Sequence, residues 1–202
     1  MDEPRRLLDP SVGDWINARL VRGESSMGSR VRSVIPTGFQ RVVRDGNGRS
    51  GNVDPDEGSV PVGTLTAILD HCLCDGNVVQ GVWLGFGTWT YRWNGEPVLP
   101  GWGGREYRLF ATAKAAITTW PGMSPSWPQS ANLIWPADNS WCIATEIDWD
   151  STLVAGSTDM TDAILADVRL ESFVVEYEDD LSWCGNILNP RPDWLARQCP
   201  PD

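Results

Sequence analysis

Apolar residues recur along this chain with two periods, and each period predicts an element. From Val62 to Cys72 they fall at Val62, Leu65, Ile68, Leu69 and Cys72, the spacing of one helix face. The segment "STDMTDAILADVRL" predicts a second helix, capped by Ser157 or Thr158 with an acid in its first turn. A short helix is expected near the N-terminus, with Ser11 as N-cap, Asp14 three positions later, and Trp15, Ile16 and Leu20 on its apolar side. "AKAAITTW" (113–120) predicts a further short helix.

Period two marks the strands. "SWCIATEID" (140–148) places Trp141, Ile143, Thr145 and Ile147 on one side and Cys142, Ala144, Glu146 and Asp148 on the other. "REYRLFAT" (105–112) and "SFVVEYEDD" (172–180) read as strands as well. "VRSVIPTGFQRVVR" (31–44) reads as a strand, a turn at Pro36–Gly38 and a second apolar segment. Asn94-Gly95 between two apolar runs is a strong hairpin signal. The strand before it would carry Trp83, Trp89, Tyr91 and Trp93 on one face.

Between these elements lie breakers. Residues 23–30 read as a connector, 45–58 as a long exposed loop, and 121–130 as a proline-broken loop. The expected fold is α+β: a mainly antiparallel sheet with three or four helices packed against it. The expected organisation is an N-terminal extension (1–30), one domain (31–189) and an irregular proline-rich tail (190–202).

Composition adds three points. The net charge is −11, yet residues 1–50 hold nine arginines against six acids, so the body that follows is strongly acidic. Such a body repels phosphate backbones, which argues against nucleic acid and suits a protein partner with a basic surface. Tryptophan is abundant, 12 residues against 4 Phe and 3 Tyr, so indoles must fill both core and surface roles. Five cysteines without framework spacing fit reduced thiols in a cytoplasm, and no stretch is apolar enough for a signal peptide or a membrane span.

The block "PQSANLIWPADNSWCIATEIDWDSTLVAGSTDMTDAILAD" resembles the C-terminal part of a family of functionally uncharacterised actinobacterial proteins, with the pattern WPADxSWCxATEID followed by DSTxVxGS. "GSRVRSVIPTGFQRVVR" and "REYRLFATAKAA" resemble earlier parts of that family, and the whole likeness covers roughly residues 30–189. The chain departs at "QRVVRDGNGRSG", where the family continues with a longer aromatic and histidine-bearing stretch, so any function housed there does not carry over. The resemblance implies an intact domain and brings no activity. Glu146, Asp148, Ser151 and Thr152 match its motif without an assigned role.

Candidate chemistry centres on Glu146, Asp148 and Asp150. On one strand face they would repel one another and spread their pKa values, as acid/base pairs do, or bind a hard cation. Alternatively Asp148 to Ser151 form a turn, where Asp and Ser side chains bond nearby N–H groups. "DHCLC" (70–74) groups His71, Cys72 and Cys74, short of a zinc set unless Cys184 or Cys199 joins; the plainer reading is the end of an amphipathic helix. "GWGGREY" (101–107) lacks the lysine of a phosphate loop and reads as a turn. Trp89 and Trp93 on their strand are either core or a binding face, and Trp102, Trp120 and Trp127 in glycine- and proline-rich loops are expected at the surface.

The favoured expectation is a cytosolic, non-enzymatic protein-binding module of inhibitor or immunity type, without cofactor or metal. Its binding residues would be Trp89, Trp93, Trp102, Trp127, Glu146, Asp148 and Asp150. Two alternatives stand beside it: a glycoside-type hydrolase using Glu146 and Asp148, and a carbohydrate-binding module using surface tryptophans.

Overall fold

Three central strands are buried at every position, so the sheet must be covered on both faces. These are β6 (Leu133–Pro136), β7 (Cys142–Thr145) and β8 (Thr152–Gly156). A computed structural model describes residues 6–21, 30–47, 57–86, 98–101 and 104–181. Among them the remaining strands are β1 (Arg6–Leu7), β2 (Arg41–Asp45), β3 (Asn77–Trp83), β4 (Leu99–Pro100), β5 (Glu106–Ala113) and β9 (Ser172–Val175). All pair antiparallel in the order β1-β5-β3-β6-β7-β8-β2-β9, and β4 also pairs with β5.

Alternation then sorts the side chains into two cores. Val78, Phe110, Ile134, Trp141, Ile143 and Val154 face the first, beneath the helices α3 (Val62–His71) and α4 (Thr158–Leu165). Leu109, Leu133, Trp135, Cys142, Ala144 and Leu153 face the second, beneath α1 (Asp14–Arg19) and α2 (Val31–Val34). The fold is α+β as expected, with four α-helices among the described residues.

The two longer helices form where the pattern places them. In α3, Leu65, Ile68 and Leu69 are buried, as is Cys72 just beyond it, although Val62 is exposed. In α4 the cap is Ser157, whose hydroxyl accepts from the Met160 N–H at 3.2 Å. Elsewhere the structure corrects the pattern. Asp9, not Ser11, caps the N-terminal segment, accepting from the Ser11 N–H at 2.9 Å. Pro10 needs no hydrogen bond at a first helical position, so it moves the start forward into a 3-10 turn (Pro10–Gly13) that leads to α1. Trp15, Ile16 and Leu20 do pack on the second core.

Residues 31–34 form one helical turn rather than a strand. Its first N–H groups find carbonyls in the C-terminal segment, Val31 to Asp179 at 3.1 Å and Arg32 to Tyr177 at 3.1 Å. At the turn expected over Pro36–Gly38 the chain bends at Thr37, with Gly38 at φ +97°. After β5 the expected helix is only a 3-10 turn, Lys114–Ala116. The loop expected at 45–58 begins inside the protein. Asp45 is fully buried and accepts from the Asn47 and Glu171 N–H groups and the Ser172 hydroxyl, while residues 48–56 lie outside the described residues. The N-terminal segment is joined to the sheet through β1 on β5.

Candidate functional site

β7 ends at Thr145, so the alternation read through Asp148 stops one residue before the first carboxylate. Glu146 to Trp149 is a turn closed by the Trp149 N–H on the Glu146 carbonyl at 3.2 Å. Glu146 Oε2 accepts from the Asp148 N–H at 2.7 Å, which is the turn chemistry of a carboxylate two residues before a free N–H. The residue that dominates this turn is Arg105, just ahead of β5. Its Nε donates to Glu146 Oε1 at 2.5 Å and a terminal nitrogen donates to Asp148 at 2.8 Å. One guanidinium therefore holds both carboxylates, and it lies 5.8 Å from the Trp83 ring centroid. Burial works against the charge on Arg105, but Glu146 and then Asp148 outweigh it and hold the proton more firmly than usual. Asp150 belongs to a different contact, 3.9 Å from Arg44, whose Nε donates to the Ser151 hydroxyl. The three acids thus do not form one cluster.

Glu146 also faces a pocket. About 30 Å³ of free space, room for a water molecule or two, lies between α1, α2 and the sheet. Ile16, Leu20, Val34, Leu99, Leu133 and Ala144 supply its apolar wall, and Asn17, Ser33, Asn132, Thr145, Tyr107 and Glu146 its polar positions. Asp148 is not among them. Gly101 is required here, since a Cβ at that position would come within 2.2 Å of the Tyr107 ring. Burial first, and then the Glu146 charge, pushes the Tyr107 phenol well above its ordinary range, so it stays protonated.

The tryptophans divide. Trp89, Trp93 and Trp102 lie outside the described residues, as do Tyr91 and the Asn94-Gly95 hairpin. Trp83 ends β3 and is followed by a turn at Leu84–Gly85, so the expected strand face does not run on from it. Trp120, expected at the surface, is buried in the first core, with its indole N–H donating to the Gln129 carbonyl at 2.8 Å. Trp127 is at the surface as expected, 63% exposed.

His71 and the cysteines separate as well. His71 Nε2 lies 2.8 Å from Asp167, which Arg169 also holds. Arg169 first and His71 second keep the Asp167 carboxyl well below the usual carboxylate range. Among the described residues, no three His, Cys, Asp or Glu side chains converge as a metal-ligand group. Cys184 and Cys199 lie outside those residues. Burial pushes the Cys72 thiol up to about 12 and the fully buried Cys142 higher still. Since the thiolate is the reactive form, mass-resolved alkylation of the native protein at pH 8 should label Cys74 and leave Cys72 and Cys142 unmodified until denaturant is added. Rapid native labelling of Cys72 would show that its end of α3 opens.

No helix among the described residues is long and apolar enough to cross a membrane. No family model, curated protein or solved structure matches the chain.

Proposed function

We propose that this chain is a protein-binding domain that seats its partner on the loop carrying Trp127. The observation behind this reading is how that loop is fastened. The Trp120 ring anchors its base in the core, and the Trp120 N–H ties down Gln129 at the far end. Between them the Trp127 backbone N–H donates to the Ser124 carbonyl at 3.3 Å, and the Ser124 and Ser126 hydroxyls lie 2.9 Å apart. An exposed indole on a preorganised loop loses little entropy on binding and offers a large apolar face, the profile of an interface anchor.

The net charge of −11 favours encounter with a basic protein surface and disfavours nucleic acid or an anionic membrane. A cytoplasmic inhibitor or immunity-type role, within the actinobacterial family that the WPADxSWCxATEID motif resembles, is the specific form of this proposal. The hydrolase alternative is weaker. An acid/base pair must face one cleft together, and Asp148 is absent from the pocket that Glu146 lines.

The test compares three baits in a lysate of the source cells: wild type, Trp127→Ala, and Glu146→Gln/Asp148→Asn. A partner held by the wild type and the double variant but lost by Trp127→Ala supports the reading. Capture undiminished by Trp127→Ala removes Trp127 as the anchor.

A further inference from the structure

β9 ends the strand order, so one of its edges faces β2 and the other faces no described strand. Its register on β2 tells which main-chain groups lie on that open side. The Gly46 N–H donates to the Glu171 carbonyl at 3.2 Å, and bonded pairs alternate along an antiparallel ladder. Phe173 and Val175 therefore turn their N–H and C=O groups toward Arg44 and Val42, while Ser172 and Val174 turn theirs outward. At Glu176 the N–H is already taken by the Asp179 carboxylate at 2.9 Å. The open stretch thus offers two donors and two acceptors, and the Val174 side chain beside them is 45% exposed.

Charge decides what fits there. Residues 171–180 hold five acids and no lysine or arginine, and all five acids are exposed. Arg30 and Arg32 both pair with Glu178. Glu171 and Glu176, one at each end of the open stretch, make no ion pair among the described residues. A second copy laid along this edge would set acids against acids, a charge device by which edge strands avoid self-association. A cationic strand meets attraction at both ends.

We infer that the open edge of β9 takes up an extended basic segment of a protein partner as an added strand, its main chain on Ser172 and Val174 and its cationic side chains on Glu171 and Glu176. Main-chain bonds supply the affinity of such an added strand, and the two carboxylates select its charge. The partner is the basic protein of the preceding reading met on a different element, so either reading can fail alone.

The test is an NMR titration of the full chain at low salt with capped Lys-Val-Thr-Val-Thr-Lys, whose lysines are spaced like Glu171 and Glu176. Saturable amide shifts are expected at residues 172–176 and in β2, and none with glutamates in place of the lysines. Two forms of the peptide N-methylated at alternate residues separate strand addition from plain charge attraction, because only one edge of the peptide meets β9. One form should bind like the parent and the other at least about tenfold more weakly. Glu171→Gln/Glu176→Gln should weaken binding about fivefold at an unchanged melting temperature. Val174→Pro removes an outward N–H that the ladder with β2 does not use, and should abolish binding. If that variant does not fold, the N-methylated pair decides. Equal affinity of the two N-methylated forms, binding of the acidic peptide, full affinity in the glutamine variant, shifts centred on the Trp127 loop, or no saturable shift would each overturn the assignment. So would a wild-type dimer that Val174→Pro makes monomeric, which gives the edge to a second copy.

Discussion

Replacing Arg105 by alanine should destabilise the domain by about 3 kcal/mol, the lower end of what breaking a buried ion pair costs. The Glu146 side chain is 7% exposed and that of Arg105 13%, so the carboxylate left behind has little water to replace its partner. The loss should not come from Asp148, whose side chain is 61% exposed. Exposed pairs are worth at most about 1 kcal/mol, so Asp148→Asn alone should stay within that. The diagnostic comparison is Arg105→Ala/Glu146→Gln, which removes the orphaned charge and should regain part of the stability lost in Arg105→Ala. Urea unfolding with an unchanged m-value is the measurement. An Arg105→Ala midpoint close to wild type would mean that Glu146 is hydrated and the clamp is ornamental.

Trp141→Ala should cost about 4 kcal/mol, within the range for deleting a large aromatic from a core. For a chain of this size that lowers the melting temperature by roughly 10 °C. The ring starts just ahead of β7, beside Gly156, where an added Cβ would lie 3.4 Å from the Trp141 Cβ and 2.3 Å from the Met160 methyl. Its N–H then donates to the Leu73 carbonyl at 2.9 Å, joining the sheet to the end of α3. Trp141→Phe refills part of the space but leaves that carbonyl unpaired, and should cost about 1–3 kcal/mol. Trp127→Ala, in contrast, should melt within about 0.5 kcal/mol of wild type, since surface changes away from such features do little. If Trp141→Ala were as mild as Trp127→Ala, the first core would have to collapse around the gap.

These two tryptophans show what was legible in the sequence and what was not. Helices α3 and α4 were readable because each buries only one stripe and α4 carries a capping serine, so the period survives in the residue pattern. Strands β6 and β8 left no such trace. Buried on both faces, "LIWP" and "TLVAG" show no alternation. The alternation of β7 was correct as far as Thr145 and then ran on through Glu146 and Asp148 by coincidence, because turn residues can mimic a polar strand face. Arg105 stands out in neither reading of its segment, the glycine-rich turn "GWGGREY" or the strand "REYRLFAT". A lone cation directly before a strand was the available signal, but its partners lie about forty residues away in sequence, at Glu146 and Asp148. Trp120 and Trp127 share the same kind of loop, and only the Gln129 carbonyl within reach of one indole separates the buried ring from the exposed one.

The strand order has a consequence for how this chain acquires its shape during synthesis. β2 leaves the ribosome early, yet its neighbours are β8, which sets Arg41 opposite Gly156, and β9, which sets Asp45 opposite Ser172. Until those late strands emerge, both edges of β2 are open, and Val42 and Val43 have no sheet to complete. Closing loops of more than a hundred residues comes before any reward from the contacts they make, which places this domain among slow folders. Translation alone therefore holds β2 exposed for many seconds at about 5–20 residues per second, a window in which a chaperone or a neighbouring nascent chain competes for it.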